Sequence, residues 1–264
     1  MRVARVRLAT GDRYAVQRES STGAPEWAVV EDPFAAEILY TGERAPVAGT
    51  ILLAPVVPSV VVGIAHNKSN NDHHLPIQAW HKSVRSVAGP GDVIRLGDDV
   101  GTVNIEGELA VVIGRTASHL TLENALDAVF GYTIANDVTN VDQVTVDEKF
   151  FHVKSGDNYA PIGPWIETDI IDPDNVAITV TINDRVLGES STANLPSAIA
   201  ECLVYVTRWT ELGPGDLVLT GAPKTFFPVQ PGDRVSVTIP PIGTLINSVA
   251  QSQLAAATTV GATS

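Results

Sequence analysis

Three tight turns of similar make-up constrain this chain most: Gly89-Pro-Gly-Asp, Gly213-Pro-Gly-Asp and Pro231-Gly-Asp. Proline presets φ at the first central position of such a turn and glycine supplies the positive φ that follows. Each turn leads into a β-branched run, such as Leu217-Val-Leu-Thr or Arg234-Val-Ser-Val-Thr-Ile, so β signals dominate from residue 89 onward. The three turns are spaced too unevenly to mark a repeat. Helical spacing is confined to two segments. One starts near Thr121, a plausible N-cap, with Leu122, Ala125, Leu126 and Val129 on one face; the other runs from about Pro196 to Trp209 with Ile199, Leu203 and Val206 in register. The expectation is a β-rich α+β fold.

Ahead of the turns, residues 1–57 read as a small N-terminal β lobe, opening on an edge segment in which Val6 and Leu8 alternate with Arg5 and Arg7. After Pro55 and Pro58 the texture changes. Val60-Val-Val-Gly-Ile-Ala is a continuous apolar run of the kind buried on both faces, and it ends in a polar, histidine-bearing loop or lid from His66 to His74. Residues 58–254 form the expected larger domain, and 255–264, rich in Ala, Thr, Gly and Ser, a flexible tail. Over 264 residues the charged share is 18%, below the roughly 25% usual for globular chains, which points to a compact core. The formal charge of −13 disfavours general nucleic-acid binding, which needs a basic footprint. A lone cysteine, Cys202, set among helix-interior residues, fits a reducing cytoplasm. No apolar run approaches the roughly 20 residues of a membrane span, and no signal peptide is evident.

Chemistry concentrates in Val103-Asn-Ile-Glu-Gly-Glu-Leu-Ala-Val-Val-Ile-Gly. At strand period two, Glu106 and Glu108 share one face and Ile105, Leu109 and Val111 the other. Adjacent carboxylates repel unless a cation sits between them, and an all-oxygen set favours Mg²⁺, Mn²⁺ or Ca²⁺. The alternative is an exposed strand with alternating Glu. A third acid, Asp137, ends the apolar run Gly131-Tyr-Thr-Ile-Ala-Asn-Asp-Val-Thr, where a carboxylate is costly unless paired or ligating; a turn or capping Asp is the plainer reading.

In order, Glu106-Gly-Glu-Leu-Ala-Val-Val-Ile-Gly, Gly131 to Thr139, Pro161-Ile-Gly-Pro-Trp, Leu212-Gly-Pro-Gly-Asp-Leu-Val-Leu-Thr-Gly-Ala-Pro and Ile242-Gly-Thr-Leu-Ile-Asn resemble the fumarylacetoacetate hydrolase family over roughly residues 58–250. The resemblance implies a mixed β-sandwich roll of that family's C-terminal-domain type, commonly homodimeric. It implies Glu106, Glu108 and Asp137 as ligands of Mg²⁺ or Mn²⁺. Lys82, in Trp80-His-Lys-Ser, matches the family's F-x-K-P lysine, a catalytic and substrate-side group able to neutralise a developing enolate or a carboxylate. Lys154 and Asp157 match its K-x-x-D segment, the lysine as a catalytic group and the aspartate as a substrate contact, and Thr220 falls in its T-G-T-P segment as another substrate contact. Alone, each lysine reads as a solvated surface residue.

The pattern departs from the family after the buried strand. Many members carry G-x-N-Y-x-x-H-x-x-E there, whose His/Glu pair activates water. Here Ser69 and Asp72 stand at those positions, and a serine is no base near pH 7. The stretch is similar instead to the isomerase/decarboxylases of 2-hydroxyhepta-2,4-diene-1,7-dioate type, which lack the pair and carry a histidine where His66 stands. His73, His74, His81 and His152 are further candidate bases, each equally a solvent-exposed side chain. Ala222 replaces the second threonine of T-G-T-P. The resulting expectation is a metal-dependent isomerase/decarboxylase of small 2-oxo or 2-hydroxydienoic acids in aromatic catabolism, with Lys82, His66 and Lys154 catalytic. Two alternatives stand beside it: an acylpyruvate or diketo-acid hydrolase, and a catalytically silent metabolite-binding member.

Overall fold

A computed structural model of the chain describes residues 1–69, 72–98 and 100–252; the tail expected at 255–264 lies outside them. The first strands are β1 (Arg2–Leu8), β2 (Gly11–Glu19), β3 (Pro25–Val30), β4 (Tyr40–Pro46), β5 (Ile51–Leu53), β6 (Val61–Ala65) and β7 (Gln78–His81). There follow β8 (Val87–Ala88), β9 (Val93–Leu96), β10 (Val103–Ile113), β11 (Val129–Asn136) and β12 (Thr139–Asn140), then the short helix α1 (Phe151–Lys154) and β13 (Ala160–Glu167). The chain continues through β14 (Ala177–Ile182), β15 (Arg185–Ser191), helix α2 (Ile199–Thr207), β16 (Leu217–Leu219), β17 (Phe226–Val229), β18 (Arg234–Ile239) and β19 (Gly243–Gln251).

Among the described residues these strands make two mixed sheets. The larger runs β4-β3-β2-β1-β13-β11-β10-β16-β6-β7, and the smaller β15-β14-β18-β19-β9. Most pairs are antiparallel, while β6 runs parallel to β16 and β9 parallel to β19. Alternation along β10 divides the interior. Ile105, Leu109 and Val111 pack with Ile178, Val180, Val235 and Val237 of the smaller sheet, whereas Ala110 and Val112 join a second cluster with Val61, Ile162 and Leu217. Gly107 lies on the first of these faces, where a Cβ would come 2.8 Å from a methyl of Val180. The glycine between the two glutamates lets the sheets close on each other.

The three turns share one solution. Asp92, Asp216 and Asp233 each accept the main-chain N–H three residues earlier, at 2.6, 2.7 and 2.8 Å, while Gly91, Gly215 and Gly232 hold φ at +81°, +83° and +99°. Asp216 also accepts Ser59 and Val60 N–H, tying the turn before β16 to the entry of β6.

Two expectations need correction. The segment from Thr121 forms only a 3₁₀ turn over Ala125–Ala128, with Leu122 and Leu126 exposed. Asn124 Oδ1 accepts the Thr121 N–H and bonds run three residues apart, so no four-residue ladder starts. The opening strand is not an edge: β1 sits between β2 and β13, pairing Arg2 with Glu167 and Val3 with Ile166. The second helical segment forms α2, burying Ile199, Cys202, Leu203 and Val206. No helix among the described residues is long and apolar enough to cross a membrane.

Candidate metal centre and active site

Glu106 and Glu108 share a face of β10, and register brings the third acid to them. Gly107 pairs with Asn136 at the end of β11, and the Asp137 N–H donates to the Glu106 carbonyl at 2.9 Å. One oxygen from each carboxylate lies within 4.8 Å of the other two, and all three side chains are buried. An exposed strand edge is thereby excluded for Glu106 and Glu108.

Three lysines neutralise two of the acids. Lys82, one residue beyond β7, donates to Asp137 Oδ1 and to the Val138 carbonyl at 2.9 Å. Lys154, at the end of α1, donates to Asp137 Oδ2, to Thr139 Oγ1 at 2.6 Å and to Glu106 Oε2 at 3.4 Å. Its Nζ lies 4.4 Å from the centre of the Trp80 ring. Lys68 donates to Glu106 Oε1. Sequence reasoning missed Lys68 as a site residue; its place two residues past His66 in the loop after a buried strand was the available signal.

Glu108 is held differently. Its Oε2 accepts the Gly221 N–H at 2.8 Å, and among the described residues no basic side chain forms an ion pair with it. Gly221 has φ +108°, and a Cβ there would lie 2.1 Å from the Asn67 carbonyl oxygen, so only glycine fits. Burial, joined by the charges of Asp137 and Glu106, pushes the Glu108 pKa up to about 8. Burial also works against charge on Asp137, but Lys154 and Lys82 outweigh it and hold that acid at about 2. Glu106 is likewise held below the usual carboxylate range, Lys154 and Lys68 overcoming burial. On the basic side, burial lowers the Lys82 pKa despite Asp137, whereas Asp137 and Glu106 outweigh burial at Lys154 and raise it.

The loop carrying Lys68 is anchored at its start. Asn67 donates to the Thr220 carbonyl at 2.7 Å and accepts the Ser197 N–H at 2.8 Å, and the Lys68 carbonyl accepts from Lys224 at 3.1 Å. Asp72 Oδ2 accepts the N–H groups of Lys68 and Ser69 at 3.0 and 3.1 Å, so this carboxylate organises the loop. His66, Lys68, Asp72, Trp80, Phe150 and Lys154 line a cavity of about 240 Å³, which meets the acids through Lys68 and Lys154, their ion-pair partners. His66 Nδ1 lies 3.1 Å from the Pro76 carbonyl oxygen.

Other candidate residues lie elsewhere. Asp157 is exposed and borders a separate depression with Arg95 and His152. Thr220 is buried with its hydroxyl given to the Leu109 carbonyl at 2.7 Å; it positions its neighbour Gly221 instead of facing the cavity. His73 and His74 are exposed, and His81 lines a distinct 370 Å³ hollow with Tyr205 and Trp209.

Comparison with known proteins places the chain in a family. A family model described as fumarylacetoacetate (FAA) hydrolase C-terminal matches residues 59–250, and the chain belongs to that family. Protein Rv2993c of Mycobacterium tuberculosis is 35% identical over 230 residues, 84% of this chain and 86% of that one. A 2-hydroxyhepta-2,4-diene-1,7-dioate isomerase from Mycobacterium marinum superposes with a TM-score of 0.88 at 33% identity, covering 96% of this chain and all of its own. A maleylpyruvate hydrolase from Sphingobium sp. SYK-6, solved with manganese(II) and pyruvate, superposes at 0.77 with 26% identity over the same shares. The family thus includes isomerases and hydrolases, and a member that takes a divalent ion.

Proposed function

We propose that this chain is a Mg²⁺- or Mn²⁺-dependent enzyme that isomerises or decarboxylates small 2-oxo or 2-hydroxydienoic acids of aromatic catabolism, as a cytoplasmic homodimer. One observation carries the reading: three buried carboxylates converge behind a cavity whose walls offer ammonium groups and one histidine but no His/Glu pair. The donor set fits the ion. All three groups are oxygen donors, and Glu108, buried without a cationic partner among the described residues, matches a divalent counter-charge. When bound, such an ion supplies Lewis acidity toward the oxygens of a 2-oxo-carboxylate.

The chain's own residues supply the rest. A carbonyl oxygen only accepts, so the contact to Pro76 places a proton on His66 Nδ1, and in the neutral ring the lone pair is then on Nε2. Nε2 can take a proton from one substrate carbon and return it to another, which is the exchange an isomerisation needs. Lys154 holds Glu106 and Asp137 in place, Lys82 fixes Asp137 from behind, and Trp80 and Phe150 form an apolar wall that limits water. Hydrolysis asks for a base on a positioned water. Ser69 cannot serve near neutral pH, and the Asp72 carboxylate is engaged by two main-chain N–H groups.

A proton NMR time course tests this reading with oxaloacetate, acetylpyruvate and a 2-hydroxydiene dicarboxylate, each with Mg²⁺ and with chelator. Metal-dependent double-bond migration or loss of CO₂ is the expected outcome. Pyruvate plus acetate from acetylpyruvate would make the chain a hydrolase instead, and silence across the panel with bound metal would favour a metabolite-binding member.

A further inference from the structure

We propose that Lys68 selects dianionic acids: its ammonium group leaves Glu106 when a divalent ion takes that carboxylate, and then binds the second carboxylate of the substrate. The inference rests on the metal-dependent reading above. Of the three lysines at the acids, only Lys68 has a substantially exposed side chain, at 30%, against 0% for Lys82 and 4% for Lys154. Lys82 makes both its contacts internally, to Asp137 and Val138, and does not line the cavity. Lys154 is held by three oxygens. The distal anion therefore has Lys68 as its available partner, on a backbone pinned by Asn67, Asp72 and Lys224, with its Nζ 5.5 Å from the centre of the Phe226 ring.

A carboxylate paired with a lysine ammonium gains a charge-assisted hydrogen bond that a methyl group in its place lacks.

Calorimetric titration tests the proposal on wild type, Lys68→Met and Lys68→Arg. Each is first titrated with Mn²⁺ and then, loaded, with 2-oxoglutarate or with 2-oxopentanoate, which carries a methyl group where the former has its second carboxylate. Wild type should prefer the dianion by about tenfold, or about 1.4 kcal/mol. Lys68→Arg should keep that preference, and Lys68→Met should lose it while binding Mn²⁺ at least as tightly as wild type. Retention of the preference in Lys68→Met overturns the proposal. So does a tenfold loss of its Mn²⁺ affinity, since Lys68 would then be a prop for Glu106. Wild type that binds Mn²⁺ but does not distinguish the two acids overturns the proposal alone; wild type that binds no Mn²⁺ overturns the metal-dependent reading with it. If Lys68→Met loses its native near-ultraviolet dichroism, Lys68→Gln is read in its place.

Discussion

Glu106, Glu108 and Asp137 share one small volume yet hold protons very differently, because lysines reach two of them and a backbone N–H the third. With its pKa raised to about 8, Glu108 keeps its proton at neutral pH in the metal-free protein, so an incoming ion must displace it. Apparent Mn²⁺ affinity should therefore rise about tenfold per pH unit up to about 8 and level off above, with close to one proton released per ion at pH 7. Titration in buffers of different ionisation enthalpy measures both. Glu108→Gln should abolish metal binding and turnover while leaving thermal stability of the metal-free protein near wild type, because the amide retains an acceptor for Gly221 N–H. Unchanged turnover in that variant would remove Glu108 from the site. Strand alternation put Glu106 and Glu108 on one face, but only the ordered family motifs joined Asp137 to them, because an aspartate at a strand end reads by itself as a turn or cap. Lys68 and the real work of Asp72 were not legible, since a loop's contacts across the fold leave no period in the sequence. Asp157 and Thr220 could be aligned to a motif, but which way each side chain points is decided by neighbours far along the chain.

At the scale of elements, β10 carries the account. One face contributes the glutamates and the other packs on the smaller sheet through Ile105, Gly107 and Leu109. Gly107→Ala should cost about 1–3 kcal/mol in urea unfolding, because its methyl would press on Val180 and Val237, and should weaken metal binding by shifting the flanking carboxylates. The turns before β9, β16 and β18 were readable because Pro, Gly and Asp each have a local role in them. The helix expected from Thr121 failed for the opposite reason: spacing shows a face but not whether anything covers it, and Leu122 and Leu126 stay in solvent. In α2 the same spacing buries Ile199, Cys202, Leu203 and Val206 in the main core cluster, and the helix forms.

For the whole molecule, the first strands extend the sheet that holds the acids. Val3, Val16, Val30 and Val56 pack with Ile162 and Ile166 in one cluster, and β1 covers the edge of β13. Deleting residues 1–57 should leave that edge and cluster open, giving an aggregating product with no cooperative melting transition; a soluble remainder that melts cooperatively would show that the larger segment folds alone. With a net charge of −13, the molecule repels anions at long range, so the ammonium groups at the cavity can attract them only locally. Anomalous diffraction from crystals grown with Mn²⁺ tests the metal centre itself. A single strong peak is expected between Glu106, Glu108 and Asp137, with the Lys68 ammonium withdrawn from Glu106. Acids still closed by their lysines, with no anomalous peak among them at millimolar Mn²⁺, would contradict the metal-centre reading.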